Sequence, residues 1–118
     1  MIKEVAFVAV AVTDIDRARK FYEGGIGLKP ASAPAGVPWV EYELGAVTIG
    51  VGSHPDWKPA RDGTSIAFEV DDIDTTIAQM KERGVKFDTD KIETPVCWMA
   101  IFRDPDGNRL LVHKRKKQ

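Results

Sequence analysis

The sequence predicts an α+β protein made of two tandem copies of one small unit, each with a strand, a helix and a strand hairpin. The first observation is the order of elements, since a Val/Ala-rich run, a capped helix and a period-2 hairpin occur twice. The second is a constant offset of 58 residues, at which Val8–Val10 aligns with Ile66–Phe68 and Asp14–Asp16 with Asp72–Asp74. The third is size, because 118 residues, 43% of them hydrophobic, suit one compact domain. Together they indicate an internal duplication.

The first module covers about residues 3–53 and opens on a strand predicted at Val5–Val12. Its continuous apolar run is typical of a strand that is covered on both faces. Asp14 has the position and the chemistry of a helix N-cap. The helix that follows it carries an apolar stripe containing Phe21 and Tyr22, and a cluster of glycines predicts its end.

A hairpin completes the first module. Residues 30–38 are rich in Pro, Ala and Gly and are predicted to form a loop. Trp39–Leu44 then alternates between two kinds of side chain, which predicts a strand with two unlike faces. Gly45 marks a turn, and Val47–Val51 is predicted to return as the second strand.

The second module covers about residues 64–115 and follows a Pro/Gly-containing linker at 54–63. The two last strands are joined by Asp-Pro-Asp-Gly, the residue order that a type I turn favours. The predicted elements repeat those of the first module: a strand at Ile66–Val70, a helix from Asp72 to Gly84, and strands at Val96–Phe102 and Arg109–His113.

Composition excludes several classes of partner. The net charge of −1 does not favour electrostatic binding of nucleic acid or of an anionic membrane. The basic run Lys114–Lys117 is interpreted as a solvated chain end. No apolar run approaches the roughly 20 residues of a membrane-spanning helix, and the N-terminus lacks a signal-peptide pattern. A single cysteine, Cys97, cannot form an internal disulfide, so the sequence predicts a cytoplasmic protein.

Two local motifs make the duplicated sequence resemble a known superfamily. Phe21-Tyr22 precedes Gly27-Leu28, and Asp104-Pro105-Asp106-Gly107-Asn108 precedes the last strand. With the repeated strand-to-Asp joint, this combination resembles the vicinal oxygen chelate superfamily of glyoxalase, bleomycin-resistance and extradiol-dioxygenase proteins. The resemblance extends from about Val5 to His113. It implies two βαβββ modules forming an open, cup-like mixed β-sheet barrel with the helices outside and the ligand in the cup.

Strand alternation predicts which side chains line this cup. Val8, Val10 and Val12 are assigned to the helix-packed face of the first strand. The side-chain parity of the strand through Trp98 stays open, and Trp39 and Trp98 fit equally well as core or as ligand-stacking aromatics. The residues predicted to bind the ligand are Phe7, Trp39, Glu41, Glu43, Gly50, Ser65, Glu69, Trp98, Leu111 and His113.

The resemblance implies a divalent metal held by His, Gln or Glu at one position on each of four cup strands. Placed by local motif, these positions fall on Phe7, Gly50, Ser65 and Leu111. Phe, Gly and Leu have no donor side chain, and Ser is a poor ligand for such ions. The usual metal site is therefore predicted to be absent, and no cofactor is predicted.

Three polar residues leave two chemical alternatives open. A relocated metal site could use Glu41, Glu69 and His113. Without metal, Glu69 in an apolar cup would have a raised pKa and could act as a general base with His113 as its catalytic partner. The alternative is that Glu41 and Glu69 bind a polar or cationic group of a ligand, or pair with Arg109.

The favoured function is metal-independent binding of a small organic molecule, as the antibiotic-sequestering members of the family do. One alternative is an enzyme, a lyase, isomerase or dioxygenase-like protein. Another is an interaction module whose cup is filled by its own side chains. The resemblance also implies a homodimer.

Overall fold

The computed structural model describes residues 1–117, which form eight strands and two helices. The chain divides into two compact units between Pro59 and Ala60, inside the segment predicted to be the linker. Each unit has the element order βαβββ and one four-stranded mixed sheet.

The sheet of the first module has the order β1-β4-β3-β2. Strand β1 runs parallel to β4, and the other neighbouring strands are antiparallel. The elements are β1 (Val8–Ala11), α1 (Ile15–Arg19), β2 (Pro30–Ser32), β3 (Trp39–Leu44) and β4 (Val47–Gly52).

The first helix starts as the sequence predicts and ends in a different form. The Asp14 carboxylate accepts a hydrogen bond from the backbone N–H of Arg17, which caps α1. The helix then widens into a π-helical turn at Lys20–Gly25, and the N–H of Ile26 donates to the carbonyl of Phe21, five residues back. Tyr22 lies in this wide turn and is fully buried.

The core of the first module lies on one face of its sheet. Val12, Val40, Tyr42 and Val51 are almost completely buried there, with Ile49 beside them. The registers pair Val40 with Val51 and Tyr42 with Ile49, so these side chains share a face. Helix α1 contacts β4. The predicted alternation on β3 and β4 therefore agrees with the structure.

The second module repeats this plan with the sheet order β5-β8-β7-β6. Its core face carries Ala100, Phe102, Leu110 and Val112, all buried, and α2 packs against β8. The elements are β5 (Ile66–Glu69), α2 (Ile73–Glu82), β6 (Ile92–Glu93), β7 (Cys97–Arg103) and β8 (Arg109–Arg115).

The duplication extends to individual hydrogen bonds. Asp72 caps α2 through the N–H of Thr75, as Asp14 caps α1. The N–H of Val12 donates to Gly52 and that of Val70 to His113, both at 2.9 Å. The two modules therefore share one backbone plan as well as a sequence pattern.

The turn between β7 and β8 forms as predicted. The N–H of Gly107 donates to the carbonyl of Asp104 at 2.9 Å, and Gly107 has φ of 87°. The buried Asp104 carboxylate accepts from the backbone N–H groups of Asp106 and Asn108 and from the Asn108 side chain. The left-handed backbone conformation of Gly107 and the three hydrogen bonds accepted by the Asp104 carboxylate fix the hairpin geometry.

Two expectations about strand bounds were wrong. The first strand begins at Val8, and residues 5–7 lie outside it although they continue the apolar run. The segment predicted as a loop at 30–38 begins with the edge strand Pro30–Ser32. Proline is tolerated at the first residue of an edge strand because no ladder partner needs its N–H.

Candidate functional site

The first module exposes a sheet face opposite its core, and we call it the aromatic face. The registers pair Ala9 with Gly50, Glu41 with Gly50, and Trp39 with Gly52, so these positions point to the same side. The aromatic face consists of Phe7, Ala9, Ala11, Trp39, Glu41, Glu43, Thr48, Gly50 and Gly52, together with the ring of Trp57.

The indole of Trp39 lies directly over two glycines. A Cβ built on Gly50 would stand 2.3 Å from two carbons of the Trp39 ring, and one built on Gly52 would stand 2.5 Å from a third. Carbon atoms at van der Waals contact are about 3.5–4.0 Å apart. The ring therefore rests on bare backbone, and any side chain at Gly50 would displace it.

Two further aromatic rings flank this indole. Phe7 meets Trp39 edge to face, with ring centroids 5.2 Å apart and an interplanar angle of 74°. The ring of Trp57 comes within 3.3 Å of the Cβ position of Gly52. Phe7 is 46% exposed and both tryptophans are half-buried, so part of this aromatic surface faces solvent. Such a surface suits flat organic molecules.

A carboxylate is fixed beside the indole. The Nε1–H of Trp39 donates to Oε2 of Glu41 at 2.8 Å, and the Glu41 side chain is half-buried. Among residues 1–117, Oε1 of Glu41 has no hydrogen-bond partner. Glu43 stands one pleat further along β3, exposed and paired with Thr48 in the register. The face thus presents an oriented acceptor next to an aromatic ring.

The second module places Glu69 and His113 side by side on the sheet face opposite its core. They are register partners on β5 and β8, and Nδ1 of His113 lies 2.6 Å from Oε1 of Glu69. The backbone N–H of Arg115 donates to the other oxygen, Oε2, at 2.9 Å. With Nδ1 paired to the carboxylate, Nε2 is the ring nitrogen left for a ligand. Pairing with Arg109, one of the alternatives that the sequence left open, is not found among residues 1–117, where these two bonds hold the Glu69 carboxylate.

The pKa of Glu69 is lowered, whereas the general-base alternative predicted a raised pKa. Partial desolvation raises it, but the hydrogen bonds from the Arg115 backbone and from His113, with their charges, outweigh that effect and leave the pKa below the ordinary value of 4.5. Glu69 is therefore held as a carboxylate. The arrangement makes Glu69 the residue that orients the imidazole, rather than a base with a raised pKa.

The other residues of this module that were predicted to bind the ligand lie on two different sides of the sheet. Leu111 and Ser65 occupy the same side as Glu69, since Leu111 pairs with Ala67 and Ser65 lies one pleat pair before it. Trp98 does not, because it pairs with Lys114 on the opposite side of the sheet. The Lys116 ammonium lies 4.8 Å from the centre of its ring. The parity left open by the sequence thus sends Trp98 away from Glu69 and His113.

The residues at the four positions where the family resemblance implies metal ligands do not fit a divalent ion. Phe7 packs on Trp39, the Trp39 ring covers Gly50, and Leu111 is apolar and buried. Of these four residues, only Ser65 has a side-chain oxygen, and a single hydroxyl does not hold such an ion. Within residues 1–117, no three His, Cys, Asp or Glu side chains form a group that could bind one.

A second feature, missed by the sequence analysis, lies on the helix side of the first module. A groove of about 400 Å³ runs between α1 and the segment 33–39. Near it, the buried hydroxyl of Tyr42 donates to Glu23 at 3.0 Å, and Arg19 donates to the same carboxylate at 2.7 Å. Burial and the Glu23 carboxylate raise the pKa of Tyr42, and the Arg19 hydrogen bond lowers that of Glu23. This network ties the π-helical turn to β3.

Comparison with known proteins assigns the family. The model of the Glyoxalase/Bleomycin resistance protein/Dioxygenase superfamily matches residues 4–112, and the chain belongs to this superfamily. The α+β fold of two tandem βαβββ modules, predicted from the sequence, is confirmed by that match and by the solved structures of the family.

Particular relatives show how far the similarity extends. The chain is 31% identical over 120 residues to YetH, an uncharacterized protein of Bacillus subtilis strain 168, covering 95% of this chain and 98% of YetH. It superposes with a TM-score of 0.80 and 26% identity on TnmS3, an antibiotic binding protein from Streptomyces sp. CB03234, covering 98% of each chain. A superfamily member from Sphaerobacter thermophilus DSM 20745 gives a TM-score of 0.78 at 25% identity, covering 96% of this chain and 98% of that one. In the described part of this chain, neither helix has the length and apolar character needed to cross a bilayer.

Proposed function

We propose that this protein binds a small organic molecule on the aromatic face without the help of a metal ion. The observation that carries the proposal is the indole of Trp39 lying over Gly50 and Gly52, with Phe7 and Trp57 beside it. At Gly50, where the family resemblance implies a metal ligand, the face instead has a flat apolar surface with one polar edge. Membership of the superfamily and structural similarity to TnmS3, an antibiotic binding protein, support small-molecule binding as the general class.

Two matched tryptophan variants test where the ligand binds. Calorimetric titration with a panel of flat organic molecules should identify ligands whose affinity falls about two- to twelvefold in Trp39→Leu, because ring stacking contributes about 0.5–1.5 kcal/mol beyond area burial. Trp98→Leu removes a half-buried tryptophan on the core-side face of the other module and should leave affinity unchanged. Equal losses in both variants, or no saturable binding by any panel member, would contradict the proposal and favour an interaction module.

Metal independence has its own test. Protein purified without chelator should contain far less than one divalent ion per chain, and ligand affinity should be the same before and after treatment with EDTA. The support is the chemistry of Phe7, Gly50, Ser65 and Leu111, which together offer one weak donor. Stoichiometric metal that is lost in Glu69→Gln and His113→Ala would instead establish the relocated site.

An enzymatic function is the second candidate, favoured by the 2.6 Å contact between Glu69 and His113. A carboxylate that orients Nδ1 leaves Nε2 as a proton acceptor, the arrangement used by general bases. If the protein is an enzyme, Glu69→Gln should lower the turnover of the bound ligand and leave its affinity largely unchanged. A ligand recovered unaltered after long incubation with the wild-type protein favours binding alone.

We also infer that the protein forms a homodimer and acts in the cytoplasm, as the family resemblance and the single cysteine suggest. Sedimentation equilibrium tests the first inference and localisation of a tagged chain the second. A monomer at tens of micromolar concentration would contradict the dimer.

A further inference from the structure

We infer that the ligand of the aromatic face is a flat organic cation, such as a protonated or quaternary heteroaromatic amine. This inference rests on the proposed function, since it names the class of ligand that the same face would bind. It follows from the charges on the face, the orientation of one carboxylate and the electrostatics of the rings.

The charge of the face is one-sided. The face positions on β1, β3 and β4 include two carboxylates, Glu41 and Glu43, and no Lys, Arg or His. Neither carboxylate forms an ion pair within residues 1–117, whereas Glu23 and Glu93 each pair with a basic side chain. A ligand with positive charge would supply the missing counter-ion, whereas an anion would be repelled by both groups.

The position of Glu41 makes this charge specific to a ligand stacked on Trp39. One carboxylate oxygen is occupied by the indole N–H at 2.8 Å, which fixes the group in the direction of the ring edge. The other oxygen stays available to an N–H donor or a cationic centre at the rim of a stacked molecule. Because Glu41 is half-buried, its interaction with a bound charge is less screened than that of a surface carboxylate.

The rings reinforce the same preference. Trp39, Trp57 and Phe7 present aromatic surfaces, and a cation within about 6 Å of such a ring is attracted by its quadrupole. Cation–π attraction and the Glu41 charge therefore favour the same sign of charge on a stacked ligand. A neutral flat molecule would gain only the stacking contribution and would leave a carboxylate oxygen without a partner.

Two flat tricyclic probes of opposite charge test the inference. Calorimetry with 9-aminoacridine, a cation at pH 7, should give saturable binding that weakens about tenfold in Glu41→Gln and weakens further as salt is raised. Anthracene-9-carboxylate, an anion of similar shape, should bind weakly to the wild-type protein and no more weakly to Glu41→Gln. Glu82→Gln, which removes an exposed carboxylate at the end of α2, is the control and should change neither affinity.

The outcomes separate this inference from the proposed function. Equal binding of both probes, sensitive to Trp39→Leu but not to Glu41→Gln, would overturn the preference for cations and leave the binding face intact. Stronger binding of the anion would also overturn it. If neither probe bound and no member of the panel of flat organic molecules bound, the proposed function would be overturned together with the inference. Urea unfolding of Glu41→Gln should show a native fold, and Glu43→Gln should give a smaller loss of cation affinity.

Discussion

The contact between the Trp39 ring and Gly50 leads to a quantitative prediction for Gly50→Ala. The added methyl would lie 2.3 Å from two ring carbons, so the ring must move away by about 1 Å or more to reach normal contact. Forcing extra volume into a packed site typically costs about 1–3 kcal/mol. Movement of the ring also weakens its hydrogen bond to the Glu41 carboxylate, which contributes about 1 kcal/mol or slightly more. We expect the free energy of unfolding to fall by about 1–4 kcal/mol.

Urea unfolding followed by circular dichroism measures this change, and two comparisons isolate its cause. Gly24→Ala is the matched control, because a Cβ there would meet no atom within 4 Å. In a Trp39→Leu background, Gly50→Ala should cost far less, giving a coupling energy of at least about 1 kcal/mol between the two sites. If Gly50→Ala lowered the free energy of unfolding equally in both backgrounds, the argument would be refuted, because the added methyl would then not be in contact with the Trp39 ring. Gly50→Ala should also lower the affinity of ligands that stack on Trp39.

Two further predictions concern networks that position the first helix and the last hairpin. Glu23→Gln should lower stability at neutral pH by about 1–2 kcal/mol, because Glu23 accepts from Arg19 and Tyr42. The Arg19 hydrogen bond depresses the pKa of Glu23, so its stabilising effect is complete above the ordinary value of 4.5 and is lost as pH falls through the folded value. The urea midpoint of Glu23→Gln should therefore converge on that of the wild type in acid. Asp104→Ala should destabilise the protein by about 2–4 kcal/mol, since it leaves the N–H groups around Asn108 without their buried acceptor.

Matched controls make these two experiments decisive. Glu82→Gln removes an exposed carboxylate and should change neither the urea midpoint nor its pH dependence by more than about 0.5 kcal/mol. Asp71→Ala, at an exposed position, serves the same purpose for Asp104. A pH profile of Glu23→Gln that runs parallel to the wild type, or an Asp104→Ala variant as stable as Asp71→Ala, would contradict the respective argument.

The face shared by Trp39, Glu41 and Gly50 was predictable from the sequence. Side chains on a strand alternate with a period of two, and on β3 the two sets differ in character, so only one register buries Val40 and Tyr42. Local signals also placed the two helix caps and the Asp104 turn, because each depends on residues within four positions of one another.

Three features of the candidate site were decided only by the tertiary structure. Trp57 lies in a segment without periodicity, and its approach to Gly52 depends on how that segment folds back. Trp98 sits on a strand that is apolar on both sides, so alternation carried no information about its direction. The lowered pKa of Glu69 arises from the backbone N–H of Arg115, 46 residues away, and from the imidazole of His113, 44 residues away. Periodicity determines which residues share a surface, because it is a property of one strand; the partner that each side chain meets is a property of strands brought together by folding.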